Sequence, residues 1–302
     1  MKKFFHLFFI LLASCLFEPL DRWEILYIPT YDGSNQAVHP SIITHNNTFF
    51  LAFTPFPYSQ DEYENPSLLQ SNDGRNFYEI PNCPAPIVNT PGGDGYNNDP
   101  DVYYDKNDST MNIIYQETFI GIHQKIINLK SKDLKNWTCE DLIVEKFDNK
   151  STFSVSPAIV LDSLYHMFYV DIYARKIKII NVANLSNCSF DQSIDLNIDI
   201  KNLTPWHIDV IEDDDVYYML ISGYPDNFNY QNLYIAKSTD LNNWSFRSKP
   251  LISQSEFIEN TRSLYRSTGL VDSKKLIVYF SFETYDNEWK IARKEFNIED
   301  LF

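Results

Sequence analysis

Five antiparallel β-sheets closed into a propeller are the architecture that three features of this sequence predict. A seven-residue phrase, Ser-x-Asp-[Gly/Leu]-x-Asn-[Phe/Trp], occurs at Ser71–Phe77, Ser131–Trp137 and Ser238–Trp244, each time after a strand-like run. A second series opens apolar strands: His39-Pro-Ser-Ile-Ile43, Asp99-Pro-Asp-Val-Tyr103, Ser156-Pro-Ala-Ile-Val160, His207-Ile-Asp-Val-Ile211 and Arg266-Ser-Thr-Gly-Leu270, with first residues 60, 57, 51 and 59 apart. Closure is the third: the piece after residue 265 falls short of a full period by about the length of residues 15–38, so the two chain ends together make one unit. Repeats of this length signal a propeller or a stacked array, and a ring sealed by both termini leaves no open sheet edge.

Within a unit the elements follow from period-two patterning and turn chemistry. The five phrases above begin the first strands, and β-rich second runs follow at Thr48–Phe53, Met111–Gln116, Leu164–Val170, Val216–Ser222 and Leu276–Phe282. Third strands end at the Ser-x-Asp boxes (Ser67–Gln70, Lys125–Leu129, Leu233–Ala236) and a fourth comes after, giving four-stranded blades. Asp and Asn side chains bond nearby backbone groups in turns, so the boxes read as structural turns whose closing aromatic locks the next strand. A degenerate copy, Val182-Ala-Asn-Leu-Ser-Asn-Cys188, divides the longer gap, with Cys188 in the aromatic position. Trp23–Ile28 is expected to complete the last blade beside Ile291–Phe296. Abundant Tyr and Phe with only eight Gly favour sheet over helix.

The ends and the charge place the domain. Lys2 and Lys3, the apolar stretch Phe4–Leu12 and the small residues before Cys15 read as a secretory signal, and Leu12-Ala-Ser-Cys15 resembles the bacterial lipobox, which implies lipidation of Cys15. Residues 1–14 are then the signal, 15–21 a tether and 22–302 one propeller domain, expected as a monomeric surface or periplasmic lipoprotein touching the membrane only through its lipid. Cys83, Cys139 and Cys188 lie in different units with no Cys-x-x-Cys spacing, so at most one disulfide is expected and no metal centre. A net charge of −16 with no basic face argues against nucleic-acid binding, whereas Asn-rich loops with frequent Tyr and Trp suit neutral, hydroxyl-rich ligands such as oligo- or polysaccharides. No cofactor motif is present; a structural Ca2+ held by Asp oxygens on the axis is compatible with the sequence.

In a propeller the heads of the first strands converge on one mouth of the channel. The register therefore gathers His39, Asp99, Ser156, His207 and Arg266 in one ring, and two residues on, Ser41, Asp101, Ala158, Asp209 and Thr268 in a second. Such polar rings are unlike a packed core, and neighbouring carboxylates split in pKa as acid–base chemistry requires.

The five repeats, Asp99-Pro100 at the head of a first strand and the Ser-x-Asp boxes resemble the five-bladed propeller glycosidases related to glycoside hydrolase families 43, 32 and 130. That resemblance spans the mature chain and implies a carboxylate base from the first blade, a substrate-orienting Asp from the second and a Glu acid from the third. Asp99 matches the second-blade Asp; the first blade has His39-Pro40 instead of Asp-Pro, and the third has Ser156-Pro157 with no Glu beside it. His39-Pro-Ser, Glu64-Asn-Pro-Ser67, Asn98-Asp-Pro-Asp101 and Trp206-His-Ile-Asp209 resemble a branch of bacterial and phage proteins in the same superfamily. The catalytic candidates are Asp209 or Asp101 as base, Asp99 as orienting group, and His207 or Glu64 as proton donor. His39, Asn65, Ser156, Trp206 and Arg266 are the substrate-binding candidates, with Arg266 and His39 suited to an anionic group. Glu117, Asp171 and Glu283, after second strands, are reserve acids. Inverting hydrolysis or phosphorolysis is the expected activity, and a non-catalytic glycan-binding propeller is the alternative.

Overall fold

A computed structural model describes residues 23–147, 153–226, 228–256 and 260–302. The proposed signal, the lipid-bearing Cys15 and the tether lie outside the described residues. In chain order, β1 (Glu24–Leu26) precedes blade 1, made of β2 (Ala37–His45), β3 (Thr48–Pro55), β4 (Ser67–Ser71) and β5 (Tyr78–Glu79). Blade 2 is β6 (Gly95–Asp105), β7 (Thr110–Phe119), β8 (His123–Ser131) and β9 (Thr138–Lys146); blade 3 is β10 (Ser154–Leu161), β11 (Tyr165–Asp171), β12 (Lys176–Val182) and β13 (Ile194–Asp195). The short β14 (Asn197–Ile198) precedes blade 4, which has β15 (Leu203–Asp213), β16 (Val216–Pro225), β17 (Asn232–Ser238) and β18 (Asn243–Ile252). Blade 5 is β19 (Thr261–Asp272), β20 (Lys275–Thr284) and β21 (Trp289–Asn297), closed by β1, which pairs antiparallel with β21 through Glu24↔Arg293, Ile25↔Ala292 and Leu26↔Ile291. The five-bladed reading and its closure by the N-terminal strand hold. One detail differs: β14 adds a fifth, parallel strand to blade 4 beside Asn243 and Trp244, because Asn197 donates its side-chain N–H to Asn243 Oδ1 at 2.7 Å.

The core lies between blades. Among the described residues five apolar clusters form, one at each blade–blade contact. Strand alternation builds them: on β3, Phe50 and Ala52 face blade 2, whereas Leu51 and Phe53 face blade 5. Truncating a fully buried side chain such as Phe53 would cost about 3–5 kcal/mol and loosen two blades from each other.

The three Ser-x-Asp boxes fold alike at the ends of the third strands. In the first, Asp73 Oδ1 accepts the Ser71 hydroxyl at 2.9 Å and the backbone N–H groups of Arg75 and Asn76 at 2.8 Å, while Oδ2 accepts the Asn76 amide. Asp133 and Asp240 repeat the pattern. Trp137 and Trp244 then donate their indole N–H to the carbonyl of the Leu three residues earlier. The degenerate fourth copy keeps only the Asn184 side chain as acceptor, from Ser186 N–H, and buries Cys188 in the blade 2–3 core. The three described cysteines are unpaired, and burial pushes the Cys188 thiol up to about 12. No helix among the described residues is long and apolar enough to cross a membrane.

Candidate functional site

The first strands β2, β6, β10, β15 and β19 stand around the axis, and each breaks its pairing with the second strand near its head. In blades 1 to 3 the break is the X-Pro pair, since proline has no N–H to give the ladder. The residue before it takes a left-handed conformation: φ is 53° at His39, 51° at Asp99 and 53° at Ser156. Such a backbone is strained for a residue with a side chain, by about 1–3 kcal/mol. It turns these three side chains to a common point. Arg266 lies in the corresponding break of β19, between Leu264 and Ser267.

Asp99 is the hub. Its Oδ1 lies 3.2 Å from Arg266 Nη1, 3.3 Å from His207 Nδ1 and 3.5 Å from His39 Nε2, and its Oδ2 accepts the Ser156 N–H at 3.2 Å. Ser156 Oγ is 2.7 Å from His207 Nδ1. His39 Nδ1 is 2.9 Å from Thr54 Oγ1 and 3.4 Å from Glu64 Oε1. All five ring residues and Glu64 are buried.

Burial sets the charges. It pulls His39 down to about 3 and His207 below the usual imidazole range, so both rings are neutral at pH 7. Burial alone would raise Asp99, but the His207 and His39 rings and the Arg266 guanidinium outweigh it and hold this carboxyl well below its ordinary value. Glu64 goes the other way: burial, then the charges of Asp61 and Asp99, push it well above the usual carboxylate range. The mouth thus holds an ionised Asp, a permanent cation, two neutral imidazoles and a carboxyl whose burial favours the protonated form. Four buried atoms there, His39 Nε2, His207 Nε2, and Arg266 Nε and Nη2, have no hydrogen-bond partner among the described residues.

Asp101 and Asp209 belong to a different layer, in which backbone groups of the next blade use their oxygens. Ser41 Oγ accepts from Val102 N–H and donates to Asp101 Oδ1 at 2.8 Å; Asp101 Oδ2 accepts from Ile159 N–H at 2.9 Å. Thr268 Oγ1 accepts from Ile42 N–H at 3.1 Å and donates to Asp209, which also accepts from the N–H groups of Gly269 and Val210. Each second-ring side chain therefore ties its blade to the following one, with a single gap at Ala158. Desolvation and the neighbouring Asp209 raise Asp101 to about 7, and desolvation raises Asp209 as well. The fully buried Arg266 reaches both layers, bonding Asp99 and drawing down Asp101 and Asp209. A cavity of about 380 Å3 reaches Ser41, Asp101 and Asp209 from the far end of the channel. Neither carboxyl accompanies His39 and Glu64 at the mouth, because an offset of two residues along the strands moves a side chain about one layer down the axis.

The remaining candidates divide likewise. Asn65 is consumed by its loop: its amide donates to Tyr31 Oη and Thr90 Oγ1 at 3.0 Å and to Glu62 O at 3.3 Å, and its Oδ1 accepts from Asn97 at 2.9 Å. It fixes Glu64, its neighbour in the chain. Trp206 is half-buried, edge-on to Tyr224 and His207. Glu117 pairs with Lys125, Asp171 with Lys178 and Glu283 with Arg262, which removes them as reserve acids. Two contributors escape the repeat register: Thr54, the partner of His39 Nδ1, and Tyr265, whose ring centroid lies 4.4 Å from His207 and 5.4 Å from His39. The aromatic immediately before Arg266 was the available signal for Tyr265.

His39, Asp99 and His207 each offer a ligand atom, and these atoms lie within 4.8 Å of one another. The expectation of no metal rested on spacing along the chain; three blades bring together what the sequence keeps 60 and 108 residues apart. Two neutral imidazoles and one carboxylate are a common donor set for a divalent transition metal, and the unpartnered Nε2 atoms fit it.

No protein-family profile matches the sequence, and no curated protein does so either. Similarity in structure is extensive. An N-acetylgalactosamine deacetylase from F. plautii, solved in complex with blood group B trisaccharide, superposes with a TM-score of 0.79 over 93% of this chain and 97% of its own, at 18% identity. The catalytic domain of a Coprinopsis cinerea glycoside hydrolase family 62 α-L-arabinofuranosidase gives 0.62 over 90% and 96% at 16% identity, and a Bacillus subtilis arabinanase 0.61 over 88% and 97% at 14%. The chain thus has the five-bladed propeller fold found among these carbohydrate-active enzymes.

Proposed function

We propose that this protein hydrolyses a substituent on a glycan, an N-acetyl group by preference, at a centre formed by His39, Asp99 and His207. The observation that carries the reading is the convergence of those three donors, with bare imidazole nitrogens, at the mouth of a fold shared with a deacetylase. A divalent cation bound there would polarise the acyl carbonyl and acidify a water. His39 would face it through Nε2, its Nδ1 directed to Thr54 and Glu64, an arrangement in which an outer carboxyl orients a ligating histidine. Hydrolysis gives the acyl carbon a hydroxyl and the departing nitrogen a proton, and the attacking water sheds one. Glu64, whose carboxyl burial raises, would give its proton to the nitrogen and recover the one that the water loses, so the step closes without net change in the acid. Tyr265 and Trp206 wall the mouth with aromatic surface suited to a sugar face.

Glycosidic cleavage with inversion, and its phosphorolytic counterpart, fits less well. Two carboxyls should face each other across roughly 6.5–9.5 Å with room for the attacking group. Here the imidazole of His39 fills the space between Glu64 and Asp99, and Asp101 and Asp209 serve as latches in the lower layer. The N-terminal reading is part of the same proposal: an exported lipoprotein anchored through Cys15 would present this mouth to extracellular glycans. Replacing Cys15 with Ala should release the protein from the membrane fraction; unchanged fractionation would contradict the anchor.

The deciding assay incubates the protein with N-acetylated oligosaccharides and aryl glycosides, with and without phosphate, and measures acetate and reducing ends separately. Acetate release that EDTA abolishes and Zn2+ restores, indifferent to phosphate, is the expected result. Liberated aryl group or reducing ends would favour the glycosidase reading, and binding without turnover a glycan-binding module. Glu64→Gln should lower kcat by about 10²–10⁴-fold at similar metal affinity; a loss of metal affinity instead would make Glu64 a positioning residue.

A further inference from the structure

The loops joining second to third strands open on the same face as the mouth, and every blade places a large exposed apolar side chain there: Tyr58, Ile120 with Ile122, Tyr173, Phe228 and Tyr285. Nothing in the proposed reaction uses them. On the seam between blades 4 and 5 this crown meets a cavity of about 470 Å3 lined by Asn229, Tyr230, Arg262, Glu283 and Tyr285. Its size falls in the roughly 300–1,000 Å3 range of small-molecule sites. Ser263 and Glu283, paired across β19 and β20, form its inner wall, three residues from Arg266 at the axis.

The wall is built in advance. Arg262 Nη1 donates to Glu283 Oε1 at 3.1 Å and to Asn287 Oδ1 at 2.9 Å, which fixes the guanidinium and offsets its charge. The turn carrying Tyr285 is held by Thr284 N–H to Glu288 O, Asn287 N–H to Thr284 O and Tyr285 N–H to Asn260 O, all within 3.0 Å. A 68% exposed Tyr on a rigid turn is a stacking platform with little ordering entropy left to lose. Beside it stand a paired guanidinium and carboxylate, which offer donors and acceptors without net charge, the pattern that adjacent sugar hydroxyls match.

Building on the hydrolase reading, we propose that the blade 4–5 seam is an accessory glycan subsite that receives a neutral sugar one or two units away from the residue held at the mouth. Neutral rather than acidic sugar follows from the offset Arg262–Glu283 pair and from the net charge of −16, which repels polyanions.

The test measures binding of a mono- and a tetrasaccharide of N-acetylglucosamine, and of tetragalacturonate, by calorimetry to the full protein. Wild type, Tyr285→Ala, Tyr285→Phe and His207→Ala are compared, with circular dichroism as a check on folding. The expected pattern is a 5- to 50-fold loss of tetrasaccharide affinity in Tyr285→Ala, a stacking contribution of about 1–2.3 kcal/mol, with monosaccharide affinity unchanged, Tyr285→Phe close to wild type, and weak or no binding of tetragalacturonate. Equal tetrasaccharide affinity in wild type and Tyr285→Ala, with loss in His207→Ala, would overturn the subsite and leave the mouth intact. Absence of binding to every saccharide by wild type would overturn both, and preference for tetragalacturonate would overturn the neutral assignment.

Discussion

Asp99 and Asp101 are two residues apart on β6, both buried and both directed at the axis, yet one is ionised among His39, His207 and Arg266, which keep further polar atoms without a hydrogen bond, and the other is a latch raised to about 7. The difference comes from the backbone around them. At the upper layer every first strand breaks its ladder, through an X-Pro pair in blades 1 to 3 and a register shift in blades 4 and 5, and the side chains turn to the axis, where polar atoms of His39, His207 and Arg266 lack hydrogen-bond partners. At the lower layer intact strands present the N–H groups of Ile42, Val102, Ile159 and Gly269, and the side chains two residues along absorb them. Residue type alone does not distinguish the carboxylate at the mouth from the one that ties blades together; the availability of nearby backbone donors does.

The largest effect should come from breaking the upper hub. Asp99→Asn leaves Arg266 as a buried, uncompensated cation, and should destabilise the fold by about 3–5 kcal/mol in chemical denaturation. Recovery of most of that loss in Asp99→Asn combined with Arg266→Met would show that the cost lies in the orphaned charge. Next, Thr268→Val strips the acceptor from Ile42 N–H and a donor from Asp209, and should cost about 1–3 kcal/mol without changing the metal or sugar affinity of the mouth. A change at the mouth would mean that the two layers are not separate.

Acidity should also distinguish them. Asp101 rises from 3.8 to about 7 on folding, so the unfolded chain gives up that proton first as pH increases. The stability it contributes is complete below about pH 4 and is lost as pH climbs to about 7, with a slope of at most about 1.4 kcal/mol per pH unit for each such proton. Asp209→Asn removes the neighbouring charge and should flatten that part of the Tm–pH curve; an unaltered curve would contradict the coupling of the pair. The smallest effect belongs to the gap at Ala158, where a Ser hydroxyl would share the Val210 N–H that Asp209 accepts and so add a contact to blade 4. Ala158→Ser should raise stability by about 0.5–1.5 kcal/mol, and a decrease would show that the lower layer is not a repeated device.

Much of this is legible in the sequence alone. The spacing of the phrases beginning at His39, Asp99, Ser156, His207 and Arg266 gave the blade count and the ring, because a repeat must bury the same face in every copy. Three things were not legible. The lower-layer carboxyls looked catalytic because hydrogen bonds between Asp101 and Ile159, or Asp209 and Gly269, link blades more than 55 residues apart in the sequence. Asn65 looked like a ligand contact because its four partners lie on loops whose paths the sequence does not specify. The metal-capable trio went unseen because the familiar motifs draw two ligands from one element, and here every ligand comes from a separate blade.

The central claim is that strand heads from separate blades build one cation-binding centre at the mouth. Dialysing the purified protein against Zn2+ and then against metal-free buffer, and counting the retained metal by mass spectrometry, tests it most directly. One equivalent per chain in wild type, falling below a tenth in His39→Ala and in His207→Ala, is predicted. No retained metal in wild type, or an equivalent that survives both substitutions, would contradict it.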